Sequence, residues 1–133
     1  VSATILLVDD EPDVIETVKY RLERDGHEIL TAGDGLEALE LVLAKHPDLL
    51  VLDVMLPGEN GYRVAHKIRE DQAAGTYPGR LPIILLTARD LSSDAERERI
   101  FMEFSGADRV IYKPFDLEDL VRQIGELLAE PAD

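Results

Sequence analysis

Acidic, hydroxyl and basic side chains recur at four places in this 133-residue chain, each just after a short apolar run. Asp9, Asp10 and Glu11 follow Thr4–Val8, Asp53 follows Leu49–Leu52, Thr87 follows Ile83–Leu86, and Lys113 with Pro114 follows Arg109–Tyr112. Crowded carboxylates repel one another and stay ionised together only around a cation, or else their pKa values rise. An oxygen-only set without His or Cys favours a hard ion. Mg²⁺ is the natural choice, because it accepts one or two carboxylates, keeps waters and engages phosphate oxygens. A carboxylate beside such an ion can attack phosphorus and form an aspartyl phosphate. Thr87 can then donate a hydrogen bond to the transferred phosphoryl oxygens, and Lys113 can supply an ammonium ion. Taken singly, each residue has an ordinary explanation as a turn residue, a strand-end hydroxyl or a solvated lysine. The alternation of carboxylate, hydroxyl and ammonium at successive strand ends sets the group apart.

The elements that must position these residues are legible from the hydropathy pattern. A fifth apolar run, Glu28–Thr31, joins the other four, and several are nearly continuous in Ile, Leu and Val, as in strands buried on both faces. Amphipathic stretches lie between them, with apolar stripes at Val14, Val18 and Leu22, at Leu36, Leu39 and Leu43, and at Leu117, Leu120, Val121, Ile124 and Leu128. Pro12 suits a first helical turn, Ser93 with Glu96 reads as a capping box, Asp116 as an N-cap and Gly106 as the residue closing the fourth helix. A β-α unit repeated five times predicts an α/β doubly wound parallel sheet with helices on both faces. Ligands of such sheets bind beyond the carboxyl ends of the strands. The segment Asp71–Leu81 reads as a long polar loop before the fourth strand. One domain is expected over 1–133, with an ordered core of about 3–129 and a tail or linker start at 130–133.

Composition removes several classes of function. The formal charge of −14 opposes direct binding to nucleic acid or to an anionic membrane. The lack of cysteine excludes disulfides, thiolate metal sites and cysteine nucleophiles. No apolar run approaches the roughly 20 residues that span a bilayer. Val1–Val8 is too short and lacks the basic flank of a signal peptide, so a cytoplasmic location is expected. A phosphate-ester hydrolase using D-x-D needs a second acid at position 55, which is Met. No G-x-G-x-x-G follows the first strand, and no G-x-x-x-x-G-K-[ST] occurs.

Four motifs together carry a family resemblance: ILLVDDEP at 5–12, LVLDVMLPGENG at 50–61, PIILLTA at 82–88 and YKPF at 112–115. Over essentially its whole length the chain resembles a receiver domain of bacterial two-component response regulators, of the chemotaxis-receiver kind. The resemblance implies a flavodoxin-like five-stranded sheet in the order 2-1-3-4-5 with five helices. It implies that Asp53 takes a phosphoryl group from a sensor histidine kinase or a histidine phosphotransfer protein. Asp10, Asp53 and the backbone carbonyl of Met55 would hold Mg²⁺, with Asp9 acting through a water. Thr87 and Lys113 would contact the phosphoryl group, Met55 and Arg89 would tune its lifetime, and the Lys113–Pro114 bond would be cis. Such a domain is no enzyme beyond its own phosphorylation and dephosphorylation. An output domain or a downstream target protein, and a homodimer through helix 4, strand 5 and helix 5, are further contacts the resemblance implies. The alternative is a degenerate receiver that serves protein contacts without phosphorylation.

Two features depart from the family pattern. Similar domains often carry Tyr or Phe three positions before the strand-five lysine, where this chain has Val110. Tyr112 lies two positions later, on the same strand face. Thr87 and its loop are therefore expected to move while position 110 gives no aromatic signal. The spacings from Asp53 to Thr87 and from Thr87 to Lys113, 34 and 26 positions, are each a few residues longer than is usual in the family. The excess falls in Asp71–Leu81 and around Ser92–Ser105. Ile100, Phe101, Met102 and Phe104 make the second region apolar. Burial of one helical face is the simpler reading and a partner-docking patch the other, and exposure of Phe101 or Phe104 separates them.

Overall fold

A computed structural model describes residues 2–88 and 95–130. Among these residues the chain runs β1 (Thr4–Val8), α1 (Pro12–Arg24), β2 (Glu28–Ala32), α2 (Gly35–Lys45), β3 (Leu49–Asp53), α3 (Gly61–Ala73), β4 (Ile83–Ala88), α4 (Ala95–Ser105), β5 (Arg109–Lys113) and α5 (Leu117–Ala129). The strands form one parallel sheet in the order β2-β1-β3-β4-β5. The expected order is the one found.

The period of two along the central strands creates two cores from one set of strands. Leu6, Val8, Leu50, Leu52, Ile83 and Leu85 pack with Ala38 and Val42 of α2 and with Val64 and Ile68 of α3. Ile5, Leu7, Leu49, Val51, Ile84 and Leu86 pack on the other side with Val18 and Leu22 of α1 and with Leu120 and Ile124 of α5. Each fully buried Leu or Ile contributes about 1.5–3 kcal/mol. A one-residue slip would exchange the two sets of side chains, so register is strongly specified. That register places the ends of β1, β3 and β4 side by side on one edge.

Local signals fix where the helices begin and end. Pro12 opens α1, and the Asp116 carboxylate accepts the Glu118 N–H at 3.0 Å to cap α5. Asn60 caps α3 by accepting the Tyr62 N–H at 2.7 Å. Gly106 takes φ +70° after α4, a conformation that favours glycine, and its N–H donates to the Met102 carbonyl. Ser93, expected to cap the fourth helix, lies outside the described residues.

Three expectations need correction. In α2, Leu36 and Leu43 face solvent, while Gly35, Ala38 and Val42 are buried. The small side chains let the helix approach: a Cβ on Gly35 would sit 2.8 Å from the Glu59 Cβ and 2.9 Å from the Val64 Cγ2. Of the leucine stripe, Leu39 packs against the core while Leu36 and Leu43 face away from it. Secondly, α3 extends through Ala73, so the loop before β4 is shorter than Asp71–Leu81. Nor is that loop merely polar. Tyr77 is buried and stacks on His46 at 4.9 Å, and Leu81 joins the core. Thirdly, α4 does not bury one apolar face. Ile100 is 54% exposed and Phe104 is 44% exposed. The helix leans on α3 through ring stacks instead, Phe101 on Tyr62 and Phe104 on His66.

Candidate phosphoryl site at the strand ends

The strands reach slightly further than the apolar runs alone indicate. Asp53 is the last residue of β3, Thr87 the next-to-last of β4 and Lys113 the last of β5. Asp9 follows β1 directly, and its N–H continues the ladder by donating to the Ala32 carbonyl at 3.2 Å. Adjacent β1 and β3 thus bring Asp9 and Asp53 together, although 44 positions separate them.

Asp9 is fully buried and Asp53 nearly so, whereas Asp10 and Glu11 are exposed. Carboxylate oxygens of these four residues all lie within 4.8 Å of one another. Lys113 reaches into the group. Its Nζ donates to Asp9 Oδ2 and to Glu11 Oε1 at 2.9 Å each, and to Asp53 Oδ2 at 3.3 Å. The remaining oxygens of the two buried acids are held by backbone. Asp9 Oδ1 accepts the Glu11 N–H at 2.8 Å, and Asp53 Oδ1 accepts the Met55 N–H at 3.1 Å. The peptide bond between Lys113 and Pro114 is cis.

A close backbone approach completes the cradle. Gly61, the first residue of α3, donates its N–H to the Val54 carbonyl at 2.9 Å. A Cβ at that position would collide with the Asp53 carbonyl oxygen and lie 2.7 Å from the Val54 Cα. Only glycine lets α3 start this close to the acceptor strand. Met55 pairs with Asn60 across the intervening turn, and its side chain is 71% exposed at the mouth of the site.

Burial pushes the Asp53 carboxyl above its ordinary pKa, and the nearby Asp9 charge adds to the rise. The Met55 N–H and Lys113 oppose it without cancelling it. For Lys113, burial alone would lower the pKa. The bonds to Glu11 and Asp9 and the charges of Asp53 and Asp9 outweigh burial and raise it, so the ammonium stays charged. One ammonium faces four carboxylates, which leaves a negative excess facing solvent. This all-oxygen donor set, with no His or Cys in the group, fits a hard divalent cation.

Thr87 sits beside this cluster, but among the described residues its hydroxyl makes no bond to Asp53. It donates to the Ala88 carbonyl at 3.4 Å and lines a cleft shared with Tyr62. The fold therefore brings Asp9, Asp10, Asp53, Met55, Thr87 and Lys113 to one edge. Arg89 lies outside the described residues. Two contributions were not read from the chain alone. Glu11 holds Lys113, and its only sequence signal is its place as the third acid in a row. Tyr62 lines the cleft beside Thr87 from a different element, and no spacing rule points to it.

Comparison with known proteins agrees with this geometry. The profile of the response regulator receiver domain matches residues 5–125. Over 125 residues the chain is 42% identical to the probable transcriptional regulatory protein TcrX of Mycobacterium tuberculosis, covering 94% of this chain and 49% of that protein. A putative response regulator from Chloroflexus aurantiacus superposes with a TM-score of 0.81 at 33% identity, over 98% of this chain and 100% of that one. The BeF3-activated N-terminal receiver domain of Klebsiella pneumoniae RstA gives a TM-score of 0.78 at 28% identity, over 96% and 99%. The chain belongs to the receiver-domain family of two-component response regulators, and a member of this family is not a conventional enzyme. Membership in a two-component system implies a cognate histidine kinase. The chain spans about half the length of the curated relatives it matches.

Proposed function

We propose that Asp53 is the phosphoacceptor of this receiver domain, taking its phosphoryl group from a histidine kinase or a histidine phosphotransfer protein. The observation that carries this reading is the convergence of Asp9, Asp10, Glu11 and Asp53 at one sheet edge, with Lys113 bonded to Asp9, Glu11 and Asp53. An Asp53 carboxylate oxygen attacks phosphorus in line. The new O–P bond forms as the P–N bond to the donor histidine breaks, leaving an acyl phosphate. Lys113, already charged and hydrogen-bonded to Asp53, turns toward the added negative charge. Thr87 brings its hydroxyl to a phosphoryl oxygen. Asp10, Asp53 and the Met55 carbonyl would hold Mg²⁺, with Asp9 acting through a water, and the ion would supply further neutralising charge. The site's negative excess supports this assignment.

The exposed Met55 side chain stands at the mouth of the site, where it would govern access of the attacking water, with Arg89 in the same role. Replacing Met55 or Arg89 changes the phosphoryl lifetime while the domain stays folded. Unchanged decay in both variants removes this role. We further place the domain in the cytoplasm and, by likeness to relatives named as transcriptional regulators, in a longer protein whose output is transcription. The transcriptional step, a downstream target and a homodimer through α4, β5 and α5 belong to that longer protein, with no direct nucleic-acid contact from this acidic domain.

Acetyl phosphate tests the reading directly. With Mg²⁺ the chain gains the mass of one phosphoryl group, and it gains none with Asp53→Asn or after chelation. Absence of any gain in the native chain supports instead a degenerate receiver used only for protein contacts.

A further inference from the structure

Tyr112 and Thr87 are register partners in the parallel β4–β5 pair, so their side chains stand side by side on one face of the sheet. On that face Leu85 and Val110, two residues earlier in each strand, join the core. Tyr112 also directly precedes Lys113, whose ammonium holds Asp9, Glu11 and Asp53. It therefore adjoins both groups that a phosphoryl on Asp53 recruits, one beside it in the sheet and one after it in the chain. Its polar end reaches α4: the hydroxyl donates to Glu98 Oε2 at 2.7 Å. Glu98 lines the same cleft as Thr87 and Met55. The arginines of α4 are turned elsewhere, Arg99 to Glu96 and Glu103 and Arg97 over the Phe101 ring. Among the described residues Glu98 is thus in no ion pair, and the Tyr112 phenol is the donor that holds it. Helix α4 packs mainly against α3, which makes this bond a principal tie to β5.

We propose that the Tyr112–Glu98 hydrogen bond is a latch that holds α4 to β5 in the resting domain, and that a phosphoryl group on Asp53 opens it. The inference rests on the phosphoacceptor reading above. Two effects act on the latch. The phosphoryl group adds negative charge at an edge where four carboxylates already exceed one ammonium, and the Glu98 carboxylate, unpaired by any cation, is repelled. Thr87, on moving toward the phosphoryl group, leaves its place beside Tyr112, so the ring loses a neighbour that fixes its position. Helix α4 stays attached through its stacks on α3, Phe101 on Tyr62 and Phe104 on His66, and the response is a shift of α4 away from β5. The ring missing at position 110 is in this chain supplied two residues on, with a partner of its own.

Beryllofluoride with Mg²⁺, a phosphoryl mimic, supplies the test, with binding followed by titration on the chain as it stands. Tyr112→Phe keeps the ring and removes the hydroxyl. A bond made only in the resting state is then lost before the mimic arrives. The variant binds about tenfold more tightly than the native chain, the low end for a hydrogen bond to a charged acceptor. On a Glu98→Ala background the same substitution changes affinity by less than about twofold, because its partner is gone. The cycle cancels the direct effect of removing the Glu98 charge, and a ring that merely packs shows no dependence on Glu98. Unchanged or weaker binding by Tyr112→Phe overturns the proposal, as does an equal gain on both backgrounds. Failure of the native chain to bind the mimic removes the phosphoacceptor reading and this inference together. Native binding with an unaltered affinity in Tyr112→Phe removes the latch alone.

Discussion

Among the described residues Lys113 is the single cation bonded to the two buried acids Asp9 and Asp53, and its loss strands both. Lys113→Ala should therefore cost about 1–3 kcal/mol or more in a urea titration without divalent ions. Millimolar Mg²⁺ should recover more stability in this variant than in the native chain, because a cation binding only the folded state stabilises it by mass action. An equal Mg²⁺ response in both would show that the ion does not enter this cluster. Asp53 makes the opposite contribution. Its pKa is raised by burial and by Asp9, so its ionised form weighs against the fold. That penalty is fully present above the folded-state pKa and vanishes below the unfolded value of about 4. Asp53→Asn should melt higher than the native chain at pH 7 without metal, with the difference closing as pH falls toward 4. A gap that widens on acidification would contradict the assigned shift. These residues were legible in the chain because each follows an apolar run. The clamp of Glu11 on Lys113 was not, since it depends on β1 and β5 sharing one end of the sheet across 102 positions.

Helix α3 must start against the acceptor strand, and Gly61 is what permits it. Gly61→Ala drives a methyl into the Asp53 and Val54 backbone and should cost about 3 kcal/mol or more. Gly125 in α5 has open space at the same position, so Gly125→Ala should gain about 0.5–1 kcal/mol from helix propensity. Thermal melts of the two variants moving in the same direction would refute the packing account. Element existence was readable because the central strands are continuous apolar runs, and α1 and α5 carry clean stripes. Helix α2 was misread because Leu36 and Leu43 outweigh Ala38 in hydropathy. Packing instead selected the small side chains that let the helix approach Val64 and Glu59. Helix α4 escaped the pattern for a related reason. Its rings stack on Tyr62 and His66 of α3, which leaves Ile100 and Phe104 exposed.

At the scale of the molecule, a charge of −14 and a half-buried acidic cluster at one sheet edge are parts of one electrostatic design. The domain is poised for a cation and repels phosphate unless a cation and Lys113 offset it. Among the described residues no helix is long and apolar enough to cross a membrane. The parallel order β2-β1-β3-β4-β5 puts four carboxylates, a hydroxyl and an ammonium where strands hand over to loops, the placement on which the proposed two-state response to one added phosphoryl group rests. The residue that carries the phosphoryl group is the point on which all of this turns. Treatment with acetyl phosphate and Mg²⁺, then borohydride reduction and tandem mass spectrometry, locates it. Conversion of residue 53 to homoserine, dependent on Mg²⁺, is the predicted result, and reduction at another carboxylate or at none would contradict the account.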